Sequence, residues 1–215
     1  AGQDIADDLV NLTNEVQTIT YYFKARIRDT RPGAPFGYCD QGGDTLLTIY
    51  LNPTPRLSMS VPDTILCDST TLNITVNDDL LSVQGAKVYQ LTTTYDPLAV
   101  QGVTATGEYP AGQDIADDLV NLTNEVQTIT YHFKARIRDT RPGSPFGYCD
   151  QGGDTLLTIY LNPTPRLSVS VPDTILCDST TLNITVNDDL LSVQGAKVYQ
   201  LTTSYTPGAV EGVTA

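Results

Sequence analysis

The stretch ITYHFKARIR, residues 129–138, alternates strictly between two kinds of side chain. Its odd positions, from Ile129 to Ile137, are apolar or aromatic, and its even positions, from Thr130 to Arg138, are polar or charged. A period of two places all the apolar side chains on one face of an extended chain. The stretch therefore predicts a β-strand of an antiparallel sheet that is buried on one side only.

Shorter segments around it show the same alternation, and turn-forming residues separate them. The apolar positions alternate with Thr, Tyr, Ser or Asn in 157–161, 167–171 and 182–186, and 198–203 is rich in β-forming residues. The only helix candidate, Asp114–Val120, is short enough to be a strand or a loop instead. Several short strands in about 110 residues predict an all-β fold of two packed antiparallel sheets. The turn signals are Arg141-Pro142-Gly143, Gln151-Gly152-Gly153-Asp154, Asn187-Asp188-Asp189 and Gln194-Gly195.

The sequence repeats itself with a period of 110 residues. Residues 1–105 align with 111–215 without a gap and differ at seven positions, so 98 of 105 are identical. This period is the size of a domain, and it exceeds the 20–50 residues of solenoid repeats. The chain therefore contains a tandem array of near-identical domains. The differences are Tyr22/His132, Ala34/Ser144, Met59/Val169, Thr94/Ser204, Asp96/Thr206, Leu98/Gly208 and Gln101/Glu211.

Composition excludes several function classes. The net charge of −13 would repel the phosphates of nucleic acids and of anionic lipid surfaces. No apolar run approaches the 18 residues needed to span a bilayer. The single histidine, His132, falls on the polar face of its strand, and we expect it to be a solvated surface residue.

Two proline-containing segments compete as domain boundaries. If the boundary is Asn162-Pro163-Thr164-Pro165 and its copy at 52–55, the complete domain is 55–164. Residues 1–54 are then the C-terminal part of one repeat, and 165–215 are the N-terminal part of the next. If the boundary is 108–112, the domains are 1–105 and 111–215.

The order of several short motifs resembles that of a known repeat family. The motifs are Asp118–Thr123, Val126–Tyr131, Tyr148–Asp150, Tyr160–Pro165 and Asp173–Asp178. Together they resemble the PKD-like, immunoglobulin-like repeats of large secreted surface proteins of Bacteroidetes-type bacteria. The resemblance implies tandem immunoglobulin-like β-sandwiches, a boundary that closes at the Asn-Pro-Thr-Pro element, and no catalytic residues. It also implies a secreted protein at the cell surface.

An even number of cysteines in an extracellular β-protein suggests disulfides. Within a 55–164 domain the pair is Cys67–Cys149, which leaves Cys39 and Cys177 to pair with each other or with domains outside this sequence. The alternative pairs are Cys39–Cys67 and Cys149–Cys177, which would link neighbouring domains. The third interpretation is that the cysteines are buried free thiols. The sequence has no Cys-x-x-Cys motif, so the cysteine spacing does not favour a zinc site.

Acidic pairs are candidate calcium ligands, although no EF-hand or nonapeptide spacing accompanies them. These pairs and their copies, with Asp40 and Asp44 around Gly42-Gly43, could hold calcium between domains, but we favour their interpretation as solvated loop charges. Because carboxylates without a binding groove are weak evidence for hydrolysis, we expect no enzyme and no resident cofactor. The calcium candidates are Asp7, Asp8, Asp78 and Asp79.

Surface features suggest modification or binding. Lys24, Arg26 and Arg28 form a basic stripe that either meets a neighbour's acidic loops or is a charged solvent face. Loop aromatics would serve a glycan- or protein-binding module; the candidates are Phe36, Tyr38, Tyr95 and Tyr109. Asp-Ser/Thr motifs resemble the O-glycosylation signal of Bacteroidetes, with candidate acceptors Thr45, Thr64, Ser69, Thr155, Thr174 and Ser179.

These features predict a non-catalytic structural segment of an extracellular filament or adhesin stalk that assembles end to end with copies of itself. Near-identical domains in series set a length, and net negative charge keeps them dispersed. The alternative function is a repeated module that binds surface glycans or proteins of a host or neighbouring cell.

Overall fold

The computed structural model describes residues 4–33, 37–39, 41–144 and 147–214, and all regular secondary structure in these ranges is β-strand. The prediction of an all-β fold is confirmed, and the helix candidate at 114–120 lies in strand β11. No helix in the described ranges is long and apolar enough to cross a membrane. The strands are β1 (Gln17–Lys24), β2 (Ile27–Arg28), β3 (Tyr38–Cys39), β4 (Asp44–Leu51), β5 (Leu57–Ser60), β6 (Ile65–Leu66), β7 (Thr70–Asp78), β8 (Ala86–Thr94), β9 (Val100–Gln101), β10 (Gly107–Pro110), β11 (Ile115–Asn121), β12 (Gln127–Arg138), β13 (Tyr148–Cys149), β14 (Asp154–Leu161), β15 (Leu167–Ser170) and β16 (Thr185–Asp188).

Two sheets face each other in the middle of the chain and form a β-sandwich. One sheet has the order β10-β8-β12-β14-β6, with β13 paired to one end of β12, and the other has the order β5-β7-β11-β9. All these pairs are antiparallel except β14–β6, which is parallel. This arrangement matches the expected two-sheet sandwich.

The alternating stretch 129–138 lies in the central strand β12. Its odd positions from 129 to 137 are all buried, which confirms the alternation. β12 pairs with β8 on one side and with β14 on the other, so Phe133 lies opposite both Leu91 and Thr155. Its neighbours on both edges satisfy the backbone groups of β12, and the facing sheet covers its apolar side.

The core combines side chains from two successive parts of the chain. Residues before the 106–110 segment supply one part, and residues after it supply the other. Since the two parts share one continuous cluster, neither buries its apolar face alone. The cluster consists of Leu72, Ile74, Val76, Tyr89, Leu91, Ala99, Val100, Ile115, Leu119, Ile129, Tyr131, Phe133, Ile159 and Leu161.

Every strand of the sandwich falls within the range 55–164. The strands outside it form separate pairs: β1 with β4, β2 with β3, and β15 with β16. The phasing at 55–164 stays a prediction, with 1–105 and 111–215 as its alternative.

We expect Leu119→Ala to lower the free energy of unfolding of the monomeric chain by about 2–5 kcal/mol, because it leaves a cavity in the core. Leu9 occupies the same repeat position but is 41% exposed, against 0% for Leu119. Leu9→Ala is therefore the matched control, and its effect should stay within about 0.5 kcal/mol. Urea denaturation measures both, and equal effects would contradict the assignment of the core to the middle of the chain.

Candidate functional site

An apolar face lies uncovered on residues 4–51. It repeats the apolar side of 111–161, but no second sheet packs on it in the described structure. Phe23 is 40% exposed, whereas its copy Phe133 is 1% exposed. We call this surface the C-half face; it consists of Ile5, Leu9, Tyr21, Phe23, Leu47 and Ile49, which line one shallow hollow.

A complementary apolar face lies uncovered on residues 167–214. It repeats the apolar side of 57–101. Tyr199 is 58% exposed, whereas its copy Tyr89 is fully buried. We call this surface the N-half face; it consists of Leu182, Ile184, Val186, Tyr199 and Leu201.

Strands beside the two faces are shorter than their copies in the sandwich. Residues 196–204 have no regular structure, although their copy is strand β8. Strand β1 ends at Lys24, whereas its copy β12 continues to Arg138. Because β8 pairs with β12 over nine residues, from Ala86 to Thr94, the missing pairing accounts for both differences.

The same hydrogen-bonded joint occurs twice along the chain. At the first joint, Val16 N donates to Ser82 O at 3.0 Å and Leu81 N donates to Asn14 O at 2.9 Å. At the second, 110 residues later, Val126 N–Ser192 O is 3.1 Å and Leu191 N–Asn124 O is 2.8 Å. Backbone hydrogen bonds therefore hold the segment before each Asn-Pro-Thr-Pro element against the segment after it, in the same way at both joints.

An asparagine from the Asn-Pro-Thr-Pro element reinforces each joint. Asn52 accepts from Gln84 N at 2.7 Å and donates to Gln84 O at 2.9 Å. Asn162 bonds Gln194 in the same way, at 2.7 and 3.1 Å. The predicted linker is thus a fixed part of the joint.

The four cysteines are free thiols in the structure. The expected Cys67–Cys149 disulfide is wrong because the two residues lie at opposite ends of β12. Cys149 is paired with Ile137, whereas Leu66, next to Cys67, is paired with Leu161 opposite Gln127. Ten residues of strand separate Gln127 from Ile137, which corresponds to about 33 Å. A disulfide needs Cα atoms within about 7 Å.

Three of the four candidate calcium ligands are engaged by protein groups. Asp78 forms an ion pair with Lys87 at 2.7 Å, and Asp79 accepts from Ser58 at 3.3 Å. Asp7 accepts from the Tyr21 hydroxyl. Asp8 is exposed on the surface. The described part of the chain holds no cluster of three or more His, Cys, Asp or Glu suited to a metal.

A buried carboxylate is the feature that sequence reasoning missed. Asp117 is 2% exposed and accepts hydrogen bonds from Tyr131 Oη at 2.5 Å, from Thr104 N at 2.9 Å and from the Thr104 hydroxyl. The sequence signal for this burial is the position of Asp117 between Ile115 and Leu119, on the apolar side of the alternating strand. The bonds join the two parts of the sandwich, because Thr104 precedes the 106–110 segment and Tyr131 follows it.

The candidate glycosylation sites are all exposed, so the acceptors are accessible. Lys24, Arg26 and Arg28 of the basic stripe are exposed. Their copies on β12 have partners within the sandwich: Arg138 pairs with Glu108 at 2.5 Å, and the Arg136 guanidinium lies 5.1 Å from the Tyr148 ring centroid. His132 lies on the outer face, 3.2 Å from Asp154.

The loop aromatics in the described ranges, Tyr38, Tyr95 and Tyr109, lie in different surroundings. Tyr109 stacks on the buried Tyr89 with ring centroids 5.6 Å apart, and Tyr95 packs at the edge of the core. Tyr38 is exposed and lies under the Arg26 guanidinium at 5.7 Å. Phe36 and Asp40 fall outside the described residues.

No protein-family model matches the chain, and no curated protein matches it.

We expect Tyr131→Phe to lower the free energy of unfolding by about 1–3 kcal/mol, because the buried Asp117 loses a hydrogen-bond donor. Tyr21→Phe removes the equivalent hydroxyl from the exposed Asp7 and should change the free energy by less than about 0.5 kcal/mol. Chemical denaturation compares the two. A Tyr131→Phe value as small as that of Tyr21→Phe would contradict a structural role for the buried pair.

Alkaline pH should destabilise the sandwich. Burial raises the pKa of Tyr89 to about 12, and burial with the hydrogen bond to Asp117 raises the pKa of Tyr131 further. Above pH 10, the ordinary tyrosine value, the unfolded chain releases these protons while the folded chain keeps them. The free energy of unfolding should therefore be steady below pH 10 and fall above it. Melting curves at increasing pH test this, and a shallower fall is expected for Tyr131→Phe.

Proposed function

We propose that the protein is a structural repeat segment of an extracellular filament and that it assembles end to end. In this assembly the strands of the N-half face of one copy pair with the strands of the C-half face of the next copy, and the side chains of both faces form one core. The observation that supports it most is that the side chains of both faces are copies of side chains that are buried together in the sandwich. The occupant of each face is therefore already present in the sequence of the chain.

The sandwich supplies the register for this contact. Ile115 lies opposite Ile74 and Phe133 lies opposite Leu91. The copied pairs are Ile5 with Ile184 of the preceding copy, and Phe23 with Leu201 of the preceding copy. Residues 196–204 would then add to β1 as a strand, which is recognition by strand addition.

The hydrogen bonds to the buried Asp117 can also form at the equivalent position in the contact between copies. Asp7 already accepts from Tyr21, as Asp117 does from Tyr131. The third partner, Thr104, has its copy at Thr214. Thr214 of the preceding copy would complete the set around Asp7, so no buried carboxylate would lack its donors.

The seven sequence differences leave this composite core unchanged. None of them is among the buried core residues of the sandwich. Met59, which packs against the core, becomes the smaller apolar Val169. Burial of each Leu, Ile or Phe side chain contributes about 1.5–3 kcal/mol, and both faces carry several.

A contact between different faces of identical chains is heterologous, and it gives an open filament when the rotation between copies does not close a ring. In the proposed assembly each copy presents an N-half face at one end and a C-half face at the other, so the series continues as an open filament. The repeated joints hold consecutive domains in one orientation, as a stalk requires. Secretion and surface location rest on the resemblance to Bacteroidetes repeats, and the net charge of −13 would disfavour lateral aggregation. Binding to glycans or proteins stays the alternative function.

Leu47→Asp should abolish assembly, because it places a charge within the C-half face. Leu46→Asp is the matched control, since Leu46 precedes it on β4 and its copy Leu156 is 66% exposed in the complete sandwich. Electron microscopy and sedimentation should show filaments for the unmodified chain and for Leu46→Asp, and monomers for Leu47→Asp.

Three results would contradict the proposal. The unmodified chain could stay monomeric at high concentration, or Leu47→Asp could assemble as well as Leu46→Asp. A native filament whose denatured, reduced subunit is a polypeptide with many more repeats would instead support a continuous covalent array. The melting transition of the complete sandwich should be the same in both variants, which excludes general misfolding.

A further inference from the structure

We infer that disulfides between copies lock the filament covalently: Cys67 of one copy bonds Cys39 of the next copy, and Cys177 of the first bonds Cys149 of the next. This inference rests on the proposed assembly. It follows from the positions of two thiols at the two equivalent joints of the chain.

Cys149 lies at the first joint. Asn52 Nδ2 is 3.9 Å from Cys149 Sγ while it donates to Gln84 O. The linker also packs against this end of the sandwich: a side chain at Gly152 would lie 2.5 Å from Pro55 O. The C-terminal part of a sandwich therefore brings its cysteine to the asparagine that precedes it.

Cys67 lies at the second joint. Asn162 N donates to Leu66 O at 2.8 Å, so Asn162 is one residue away from Cys67 across the β14–β6 pair. The next residue, Asp68, accepts from the Thr164 hydroxyl of the same linker. The N-terminal part of a sandwich therefore brings its cysteine to the asparagine that follows it.

Asn52 and Asn162 are copies of each other and make the same bonds to Gln84 and Gln194. Each joint in the chain contains one of the two cysteines, and in the proposed assembly a second copy brings the other. Pro55 is buried at the first joint, where the C-terminal part of the sandwich packs against it, whereas its copy Pro165 is exposed at the second.

Assembly supplies the second cysteine of each joint. Residues 1–54 of the next copy complete the sandwich begun by 166–215, and they bring Cys39, the copy of Cys149, to Asn162 beside Cys67. In the same way, Cys177, the copy of Cys67, comes to Asn52 of the next copy beside Cys149. Two disulfides would therefore span each contact between copies.

Formation of each bond is an oxidation of two thiols. Two S–H bonds break, one S–S bond forms, and two protons and two electrons leave. The oxidant we name is a small-molecule disulfide, which accepts the electrons by thiol–disulfide exchange and is reduced to two thiols. Cys39, Cys67 and Cys177 are exposed and Cys149 is partly exposed in the unassembled chain, so the reagent can reach them.

Sequence differences between the repeats allow each disulfide pairing to be identified from the masses of its linked peptides. Trypsin releases the four cysteines in residues 29–56, 57–87, 139–166 and 167–197. The first and third peptides differ at Ala34/Ser144, and the second and fourth differ at Met59/Val169. The inferred pairs and the intradomain pairs Cys67–Cys149 and Cys39–Cys177 therefore have different masses, and fragmentation separates them from methionine-oxidised species.

The experiment assembles the chain with oxidised glutathione and analyses it by non-reducing electrophoresis and peptide mass spectrometry. We expect a ladder of multimers that collapses to one chain with reductant, and linked peptides 29–56/57–87 and 139–166/167–197. Cys39→Ser and Cys149→Ser should each remove one linked peptide pair and keep the ladder. The double variant should lose the ladder but still form filaments.

Filament formation in reductant, seen by electron microscopy, tests the assembly separately from the crosslink. Filaments that keep only free thiols after oxidation, or that give the Cys67–Cys149 peptide, would overturn the disulfide inference and leave the assembly standing. Absence of filaments in reductant and in oxidant would overturn the assembly itself. A ladder formed equally well by Leu47→Asp monomers would show random oxidation and would also overturn the inference.

Discussion

The packing of one sheet face against another is the interaction on which the rest of this structure depends. A β-sheet with one apolar face gains its stability only when a second face covers it. In the sandwich, both sheets contain strands from residues 57–101 and from 107–161, and their side chains merge into one core. The same faces occur again on both sides of the sandwich, where nothing in the described structure covers them.

This constraint explains the differences between copies of almost identical sequence. The stretch 127–138 is one uninterrupted strand, whereas its copy has a shorter strand that pairs only with β4. Likewise, 86–94 is a strand and 196–204 is irregular. Seven substitutions outside the buried core do not account for these differences, but the missing partner strand does. Local β-propensity is therefore necessary for these strands and insufficient without tertiary pairing.

The two joints hold the chain segments on either side of the Asn-Pro-Thr-Pro elements together by hydrogen bonds. Backbone hydrogen bonds at 14–16 with 81–82 and at 124–126 with 191–192 repeat with nearly the same distances. Asn52 and Asn162 bind the turn of the following repeat in the same manner. Under the phasing at 55–164, these contacts would carry the orientation of one repeat to the next, and the proposed filament would gain a defined geometry from contacts that each copy already contains.

The all-β class, the 110-residue period and the central strand at 129–138 follow from the amino-acid sequence alone, because alternation of apolar side chains and repetition are local properties that can be read directly. The sequence also located the Asn-Pro-Thr-Pro segments that the structure places at the joints. It could not determine which cysteines are neighbours: Cys67 and Cys149 belong to one sandwich but lie at its opposite ends, and only strand order and register show this. Nor could it show that Asp117 is a buried hydrogen-bond acceptor whereas its copy Asp7 is exposed. Those differences depend on which face meets which, and a face acquires its partner only through tertiary structure.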